Sequence, residues 1–222
     1  LKPSEFTPAT SALLAQTIDL YFDEDELAVI LGGPDVGAAF AGLPFDHLIF
    51  TGSTRVGKQI LQMAGQSNLK RAWTELGGKS ANIVCADCPD LDAAVKAAIG
   101  SIYFNQGESC NAPSRLFVEA PIKDAFLEKA MKMMPRFAPG DPLDEKTVMG
   151  AIVDATQMNT VMGYIDSGKQ SGAKLLHGGA QARTDTGGFY IEPTLFDNVD
   201  SGMKIAQQEI FGPVLSVLTF TD

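Results

Sequence analysis

His47-Leu48-Ile49-Phe50-Thr51-Gly52-Ser53-Thr54-Arg55-Val56-Gly57 is the stretch that decides the fold. His47 to Phe50 has the short, apolar character of a buried strand, and Lys58 to about Ala64 has the spacing of a helix. Between them lies a loop bracketed by Gly52 and Gly57. Strand, tight loop, helix is the first half of a crossover unit, the connection that parallel strands require. In such a loop the backbone amides and the hydroxyls of Ser53 and Thr54 could meet a pyrophosphate at the helix N-terminus. The first glycine pair of the usual dinucleotide fingerprint is missing, so taken alone the loop reads first as a plain strand-to-helix turn.

The same grammar extends in both directions. Toward the N-terminus, Thr10 to about Tyr21 has helical spacing, with Leu13, Leu14, Thr17 and Ile18 on one side and Thr10 or Ser11 as the expected N-cap. Leu27 to Leu31 reads as a strand, Gly32-Gly33-Pro34 as a turn, and Val36 to Ala41 as a short helix. Toward the C-terminus, Trp73 to Leu76 is a further strand that ends at Gly77-Gly78. A second set follows: strand Ala81 to Cys85, helix Leu91 to Phe104 with Leu91, Val95, Ile99 and Ile102 inward, strand Arg115 to Val118, and helix Ile122 to about Met134. After the turn-rich Pro139-Gly140-Asp141-Pro142 come helix Ala155 to Ser171 and strand Lys174 to His177. Ala180 to Gly188 is expected to be an exposed hairpin or loop. Short strands alternating with helices predict an α/β fold with a mainly parallel sheet. The boundary between two domains, 1–76 and 77–222, is placed at the Leu76 to Gly78 segment.

Composition excludes several classes of function. A formal charge of −10 and a pI near 4.6 argue against general binding to nucleic acid or to an anionic membrane. No apolar run has the length of a membrane span. No leader pattern is seen, so the cytoplasm is the expected compartment. Three cysteines do not make a disulfide framework in a chain of 222 residues. Leu1-Lys2-Pro3-Ser4-Glu5 reads like the middle of a domain, and Val214 to Phe220 is an apolar strand pattern cut off at Asp222. The sequence is expected to be a piece of a longer protein.

Several residue types invite chemistry, and each has a plainer reading beside it. Phe104-Asn105-Gln106-Gly107-Glu108-Ser109-Cys110-Asn111 places a cysteine between a helix end, capped by glycine, and a strand. That is a good position for a nucleophile, although an arbitrary free cysteine is more often a buried structural thiol. Glu75 closes a strand, where parallel sheets place functional groups, but an exposed strand-end carboxylate is common. Glu209, before the turn Ile210-Phe211-Gly212-Pro213, says little in isolation. Gly78-Lys79-Ser80 is not a phosphate loop, because Trp73 stands where that motif needs glycine and a strand follows. Cys85 and Cys88 have metal spacing but no second pair, and loop packing is the better reading.

The ordered series Lys2-Pro3-Ser4-Glu5, Phe50-Thr51-Gly52-Ser53-Thr54, Glu75-Leu76-Gly77-Gly78-Lys79-Ser80, Gly107 to Cys110 and Glu209-Ile210-Phe211-Gly212-Pro213 resembles the aldehyde dehydrogenase superfamily over essentially the whole chain. Within it, Gly32-Gly33-Pro34 and Leu43-Pro44-Phe45-Asp46-His47 look most like the coniferyl-aldehyde dehydrogenase branch. The resemblance implies a Rossmann-like cofactor domain, present in part, followed by a thiol-bearing catalytic domain. It implies Cys110 as nucleophile and Glu75 as general base. For NAD or NADP it implies Lys2 and Glu5 at the adenosine ribose, and Gly52, Ser53 and Gly57 in the pyrophosphate loop, with Leu76 beside the cofactor. Glu209 would hold the nicotinamide ribose and Phe211 would line that pocket; Gln157 is a looser match to a ribose contact. The implied partner is a small aldehyde, with the full-length protein a homo-oligomer, no nucleic acid and no membrane.

Those residue types suit that chemistry. A thiol with a pKa near 8.5 is only about 3% ionised at pH 7, yet sulfur remains a strong nucleophile. Its attack on an aldehyde gives an oxyanion, loss of hydride gives a thioester, and a carboxylate base can then activate the water that releases the acid. Two features depart from the family pattern. Glu108 stands where glutamine is usual, and the asparagine that helps hold the oxyanion lies upstream of Lys2 in the family, as the oligomerisation strand lies beyond the C-terminus. A fragment without that asparagine is expected to be impaired, since one oxyanion donor is worth about 10²- to 10³-fold in rate. A CoA-acylating or acyl-phosphate-reducing relative, which needs no strong base, and a non-catalytic binding protein are the alternatives; Glu75 argues against the former, and Cys110, Glu75 and Glu209 together against the latter.

Overall fold

The computed structural model describes residues 1–221. By its internal contacts the chain divides into two units, Leu1–Gly77 and Gly78–Asp222.

In the first unit, helices α1 (Pro8–Tyr21) and α2 (Pro34–Gly42) precede β1 (His47–Thr51), α3 (Thr54–Gln66) and β2 (Arg71–Glu75). The strands β1 and β2 pair in parallel, from His47 opposite Arg71 to Thr51 opposite Glu75, so their C-terminal ends lie side by side. The crossover between them is α3, as the sequence grammar requires. Three expectations need correction. Leu27 to Leu31 is not a strand: Leu27 N closes a turn on Asp23 O at 3.1 Å, Ile30 N donates to Leu1 O at 2.8 Å, and the terminal amine of Leu1 donates to Ala28 O at 2.7 Å. A single such exchange is too short to be a ladder. Neither Thr10 nor Ser11 caps α1; its N-cap is Thr7, Pro8 opens the helix, and Ser11 Oγ instead donates to Ser4 O at 3.1 Å. The inward face expected of α1 is only partly buried, since Ile18 is covered but Leu13 is 63% exposed.

The second unit holds a five-stranded sheet of order β3-β4-β9-β8-β5. Its strands are β3 (Ala81–Val84), β4 (Arg115–Glu119), β5 (Lys174–His177), β8 (Thr194–Asp197) and β9 (Val214–Phe220). All neighbours are parallel except β5, which runs antiparallel to β8. The small antiparallel pair β6 (Gln181–Ala182) and β7 (Tyr190–Ile191) flanks the expected exposed loop. Helices α4 (Leu91–Tyr103), α5 (Lys123–Met133), α6 (Ala155–Gln170) and α7 (Lys204–Gln207) complete the unit. Two of them start where an aspartate satisfies a free amide: Asp90 accepts from Ala93 N at 2.9 Å and Asp154 from Gln157 N at 2.7 Å. The inward residues Val95, Ile99 and Ile102 of α4 are buried together with Leu116 and Val118 of β4 and Phe126 of α5. Among the described residues, no helix is long and apolar enough to cross a membrane.

Candidate active site

The loop that carries Cys110 is built under strain. Helix α4 stops at Tyr103, earlier than the glycine would require, and a 3₁₀ turn spans Phe104–Gly107. Asn105, Gln106 and Gly107 all adopt left-handed backbone, with φ of 47°, 57° and 72°. Such conformations cost non-glycine residues roughly 1–3 kcal/mol each and persist only where neighbours hold them. The holds are visible. Gln106 Oε1 accepts from Gly150 N at 3.2 Å and its Nε2 donates to Ala151 O at 3.0 Å. Asn105 Nδ2 donates to Glu108 O at 3.0 Å. Gly107 lies against Gly212, so that a Cβ there would sit 2.2 Å from the Gly212 carbonyl oxygen. Together these fix a segment from which Cys110 emerges exposed. The bland reading of Cys110 as a buried structural thiol is thereby removed.

Glu108 is half-buried. Its Oε1 accepts from Val153 N at 3.1 Å. Burial is the largest influence on it and pushes its carboxyl up to about 6, with Asp154 adding to the rise while Val153 and Gln106 oppose it.

Gly78 meets the same loop from elsewhere in the second unit. A Cβ on Gly78 would lie 2.4 Å from the Cys110 carbonyl oxygen, so only glycine allows that approach. The Gly78 amide donates to Glu209 Oε1 at 3.1 Å. Phe211 is partly exposed with a left-handed φ of 55°. The Gln157 amide holds this turn by donating to Ile210 O at 3.0 Å and Phe211 O at 2.7 Å. Gln157 therefore fixes the Phe211 turn through the backbone.

In the first unit the remaining candidates form two groups. Gly52, Ser53, Gly57, Glu75 and Leu76 converge at the C-terminal ends of β1 and β2. Gly52 N donates to Glu75 O at 3.0 Å. Ser53 is the N-cap of α3, its Oγ accepting from Val56 N at 3.3 Å, and the first turn of the helix is exposed. Gly57 is buried against Leu76, whose Cδ2 lies 2.6 Å from where a Cβ would stand. The Glu75 side chain is exposed at the strand end. Lys2 and Glu5 group instead with α2: Lys2 Nζ donates to Gly32 O at 2.9 Å and Pro3 O at 2.8 Å, and lies 3.5 Å from Glu5 Oε2.

The pattern of candidate residues did not reveal Gly78, Gln106 or Gly212 as parts of the site. Their roles are close approaches and backbone clamps, and none leaves a spacing signal. Cys85 and Cys88 close a turn through Cys88 N to Cys85 O at 3.1 Å. Among the described residues no group of His, Cys, Asp and Glu is placed to hold a metal ion.

The aldehyde dehydrogenase family profile matches residues 1–222. The chain belongs to the aldehyde dehydrogenase family. Human mitochondrial aldehyde dehydrogenase is 45% identical over 223 residues, which is 99% of this chain and 43% of that protein. Mouse retinaldehyde dehydrogenase 3 is 44% identical, again over 99% of this chain and 43% of its own length. Among solved structures, the aldehyde dehydrogenase KauB from Pseudomonas aeruginosa superposes with a TM-score of 0.96 at 52% identity, covering 100% of this chain and 46% of that one. The P. syringae indole-3-acetaldehyde dehydrogenase AldA, solved with NAD+ and IAA, gives 0.96 at 51% identity with coverage of 100% and 46%. This aldehyde dehydrogenase chain thus spans less than half the length of the curated relatives it matches. Both the α/β class and the mainly parallel sheet expected from sequence agree with that kinship.

Proposed function

We propose that the full-length protein oxidises an aldehyde to its carboxylic acid with NAD or NADP, using Cys110 as nucleophile and Glu75 as general base. The observation that carries this reading is the exposed Cys110 on a strained, clamped loop, with its carbonyl packed on Gly78 and Gly78 held by Glu209. Residues 1–76 would serve as the cofactor-binding part and 77–222 as the thiol-bearing part.

The residues present fit the cofactor. Gly52 leaves no room for a side chain beside the Phe50 ring, 2.6 Å from its notional Cβ, so backbone rather than side chain faces the loop. The exposed start of α3 presents amides with no intrahelical acceptor, which suits a pyrophosphate. Ser53 accepts one hydrogen bond as a cap and retains its own proton to donate. Lys2 and Glu5 would take the adenosine ribose; Glu5 repels a phosphate there and Lys2 attracts one, which leaves both NAD and NADP within the proposal. Glu209 would accept from the nicotinamide ribose hydroxyls, with Phe211 beside it.

In the proposed reaction the Cys110 thiolate forms a C–S bond to the aldehyde carbon, and the carbonyl oxygen becomes an oxyanion held by the Cys110 amide. NAD(P)+, when bound, supplies the acceptor for the hydride that leaves this carbon. Glu75 then takes a proton from water as the water oxygen attacks the thioester carbon, and the C–S bond breaks to return Cys110. An aromatic aldehyde such as coniferyl aldehyde is the proposed substrate. The exposed Phe104 ring at the start of the Cys110 loop supports this by offering an apolar face. The full-length protein is proposed to be a homo-oligomer in the cytoplasm.

In the full-length protein Cys110→Ser should abolish turnover, and retained turnover would refute the assignment. Glu75→Gln should leave the first burst of NAD(P)H intact and slow the steady state, because only the hydrolysis of the thioester needs the base. A lost burst with normal steady turnover would contradict the role given to Glu75.

A further inference from the structure

Cys85 and Cys88 are two thiols on one turn that the proposed function does not use. Both are free, as is Cys110. Cys85 directly follows β3, and Cys88 N donates to Cys85 O at 3.1 Å. That bond closes a four-residue turn, which holds its first and last Cα atoms within about 7 Å. A disulfide spans Cα separations of about 4.4–6.8 Å, so the backbone already brings the pair to bridging range. The turn is pinned on both sides. Glu119, at the end of β4, accepts from Ala86 N, and Pro89 confines the Cys88 backbone just before Asp90 caps α4. The two thiols also differ in access. Cys85 is exposed, whereas Cys88 is half-buried, packed against the cluster of Val84 and Val95, with Sγ 3.5 Å from Asp90 O. A thiol is a weak donor, so that contact opposes a disulfide only slightly. Both thiols precede α4 and Cys110 follows it. The thirteen residues of the helix, about 20 Å, therefore keep Cys110 from competing as a partner.

We propose that Cys85 and Cys88 form a reversible dithiol–disulfide site, with Cys85 attacking a small-molecule disulfide and Cys88 resolving the adduct. In the first step the Cys85 sulfur bonds to one sulfur of the small disulfide, whose S–S bond breaks, and the first small thiol leaves with the Cys85 proton. In the second the Cys88 sulfur bonds to the Cys85 sulfur, the mixed disulfide breaks, and the second small thiol leaves with the Cys88 proton. Two electrons pass from the protein pair to the small disulfide, and an excess of the reduced small thiol reverses both steps. Exposure suits Cys85 to the first step, which needs an encounter with a molecule from solution. Half-buried Cys88 has to reach only Cys85, its neighbour across the turn. The site stands apart from Cys110 and does not depend on the role given to that residue.

The test uses the full-length protein, equilibrated across mixtures of reduced and oxidised glutathione, quenched in acid, alkylated and digested with trypsin. Cleavage after Lys79, Lys96 and Arg115 puts Cys85 and Cys88 on one peptide, Ser80 to Lys96, and Cys110 on the next. As oxidised glutathione rises, mass spectrometry should show the first peptide pass from doubly alkylated to internally bridged, two hydrogens lighter than its dithiol. Dithiothreitol should reverse the change. Cys88→Ser should lose the bridge and trap glutathione on Cys85. Cys85→Ser should lose the bridge and leave Cys88 largely open to alkylation. A wild-type peptide that stays doubly alkylated across the series overturns the inference and leaves loop packing as the role of the pair. A wild-type peptide with glutathione on Cys85 and Cys88 still alkylated overturns it too, since the turn then fails to bring the thiols together. Equal glutathione uptake by the two serine variants overturns the division into attacking and resolving thiols. The first two outcomes are read on the wild type, so a variant that fails to fold leaves the test decisive.

Discussion

The two units are written in the same strand-loop-helix grammar and differ in what they bury. In the first, β1 and β2 form a two-stranded sheet, the core is the small cluster around Ala41, Leu48 and Ile60, and Ile49 and Trp73 are 78% and 66% exposed. In the second, five strands support two larger clusters in which Ile99, Leu116, Phe126, Val161 and Phe196 are wholly covered. The contrast teaches that local pattern writes the elements, while burial needs a third and further strand to give a face something to pack on.

The strongest way to break this comparison is to truncate one apolar residue in each unit. Phe126→Ala should cost the chain about 3–5 kcal/mol, as a fully buried aromatic in a packed core does. Ile49→Ala should stay within about 0.5 kcal/mol, because its side chain is already exposed to solvent. Urea melts of both variants measure this, and equal losses would mean that burial does not separate the units.

Glycine substitutions sharpen the contrast at a smaller scale. Gly107→Ala places a Cβ against Gly212 O in a left-handed backbone and should cost about 2 kcal/mol or more, with Cys110 displaced. Gly65→Ala, near the end of α3 with nothing within 4 Å of the new Cβ, should instead gain roughly 0.4–1 kcal/mol. A Gly107→Ala chain as stable as the parent would show that the Cys110 loop is not clamped as described.

The smallest effect is one of pH and belongs to the second unit alone. The Glu108 carboxyl is raised from 4.5 to about 6 in the fold, so the folded chain binds this proton more tightly than the unfolded one. Its stabilising contribution is complete below pH 4.5 and is lost as pH rises to about 6. Glu108→Gln should flatten that part of the stability profile, read as denaturation midpoints at pH 4.5 and 6.5. A midpoint that changes with pH equally in the variant would assign the dependence to another group.

Much of the architecture was legible. The α4 stripe of Val95, Ile99 and Ile102, the α3 crossover and the strand ahead of Arg71–Glu75's glycines follow from period and punctuation alone. What escaped reading had a physical cause. Leu27 to Leu31 has strand composition but no partner long enough to pair with. Thr194 to Asp197 became β8 although nothing marked it, because all its residues are buried and no alternation shows. The four-residue α7 is too short for a helical period to register. The expected glycine stop of α4 came early, since Asn105 and Gln106 take left-handed backbone that their own side chains help to hold.

By itself the sequence determined the α/β class and most of the larger elements, and through five ordered blocks the family resemblance that marks Cys110, Glu75 and Glu209 as the residues to examine. The elements depend on local spacing and the resemblance on residue types kept in order, both of which a linear chain carries. Only the tertiary structure decided that Cys110 is exposed and that Gly78 and Gly107 are glycines because carbonyl oxygens crowd them. Each of these depends on atoms brought together from distant positions, such as Gly78 with Glu209, and no local pattern encodes a distance between them.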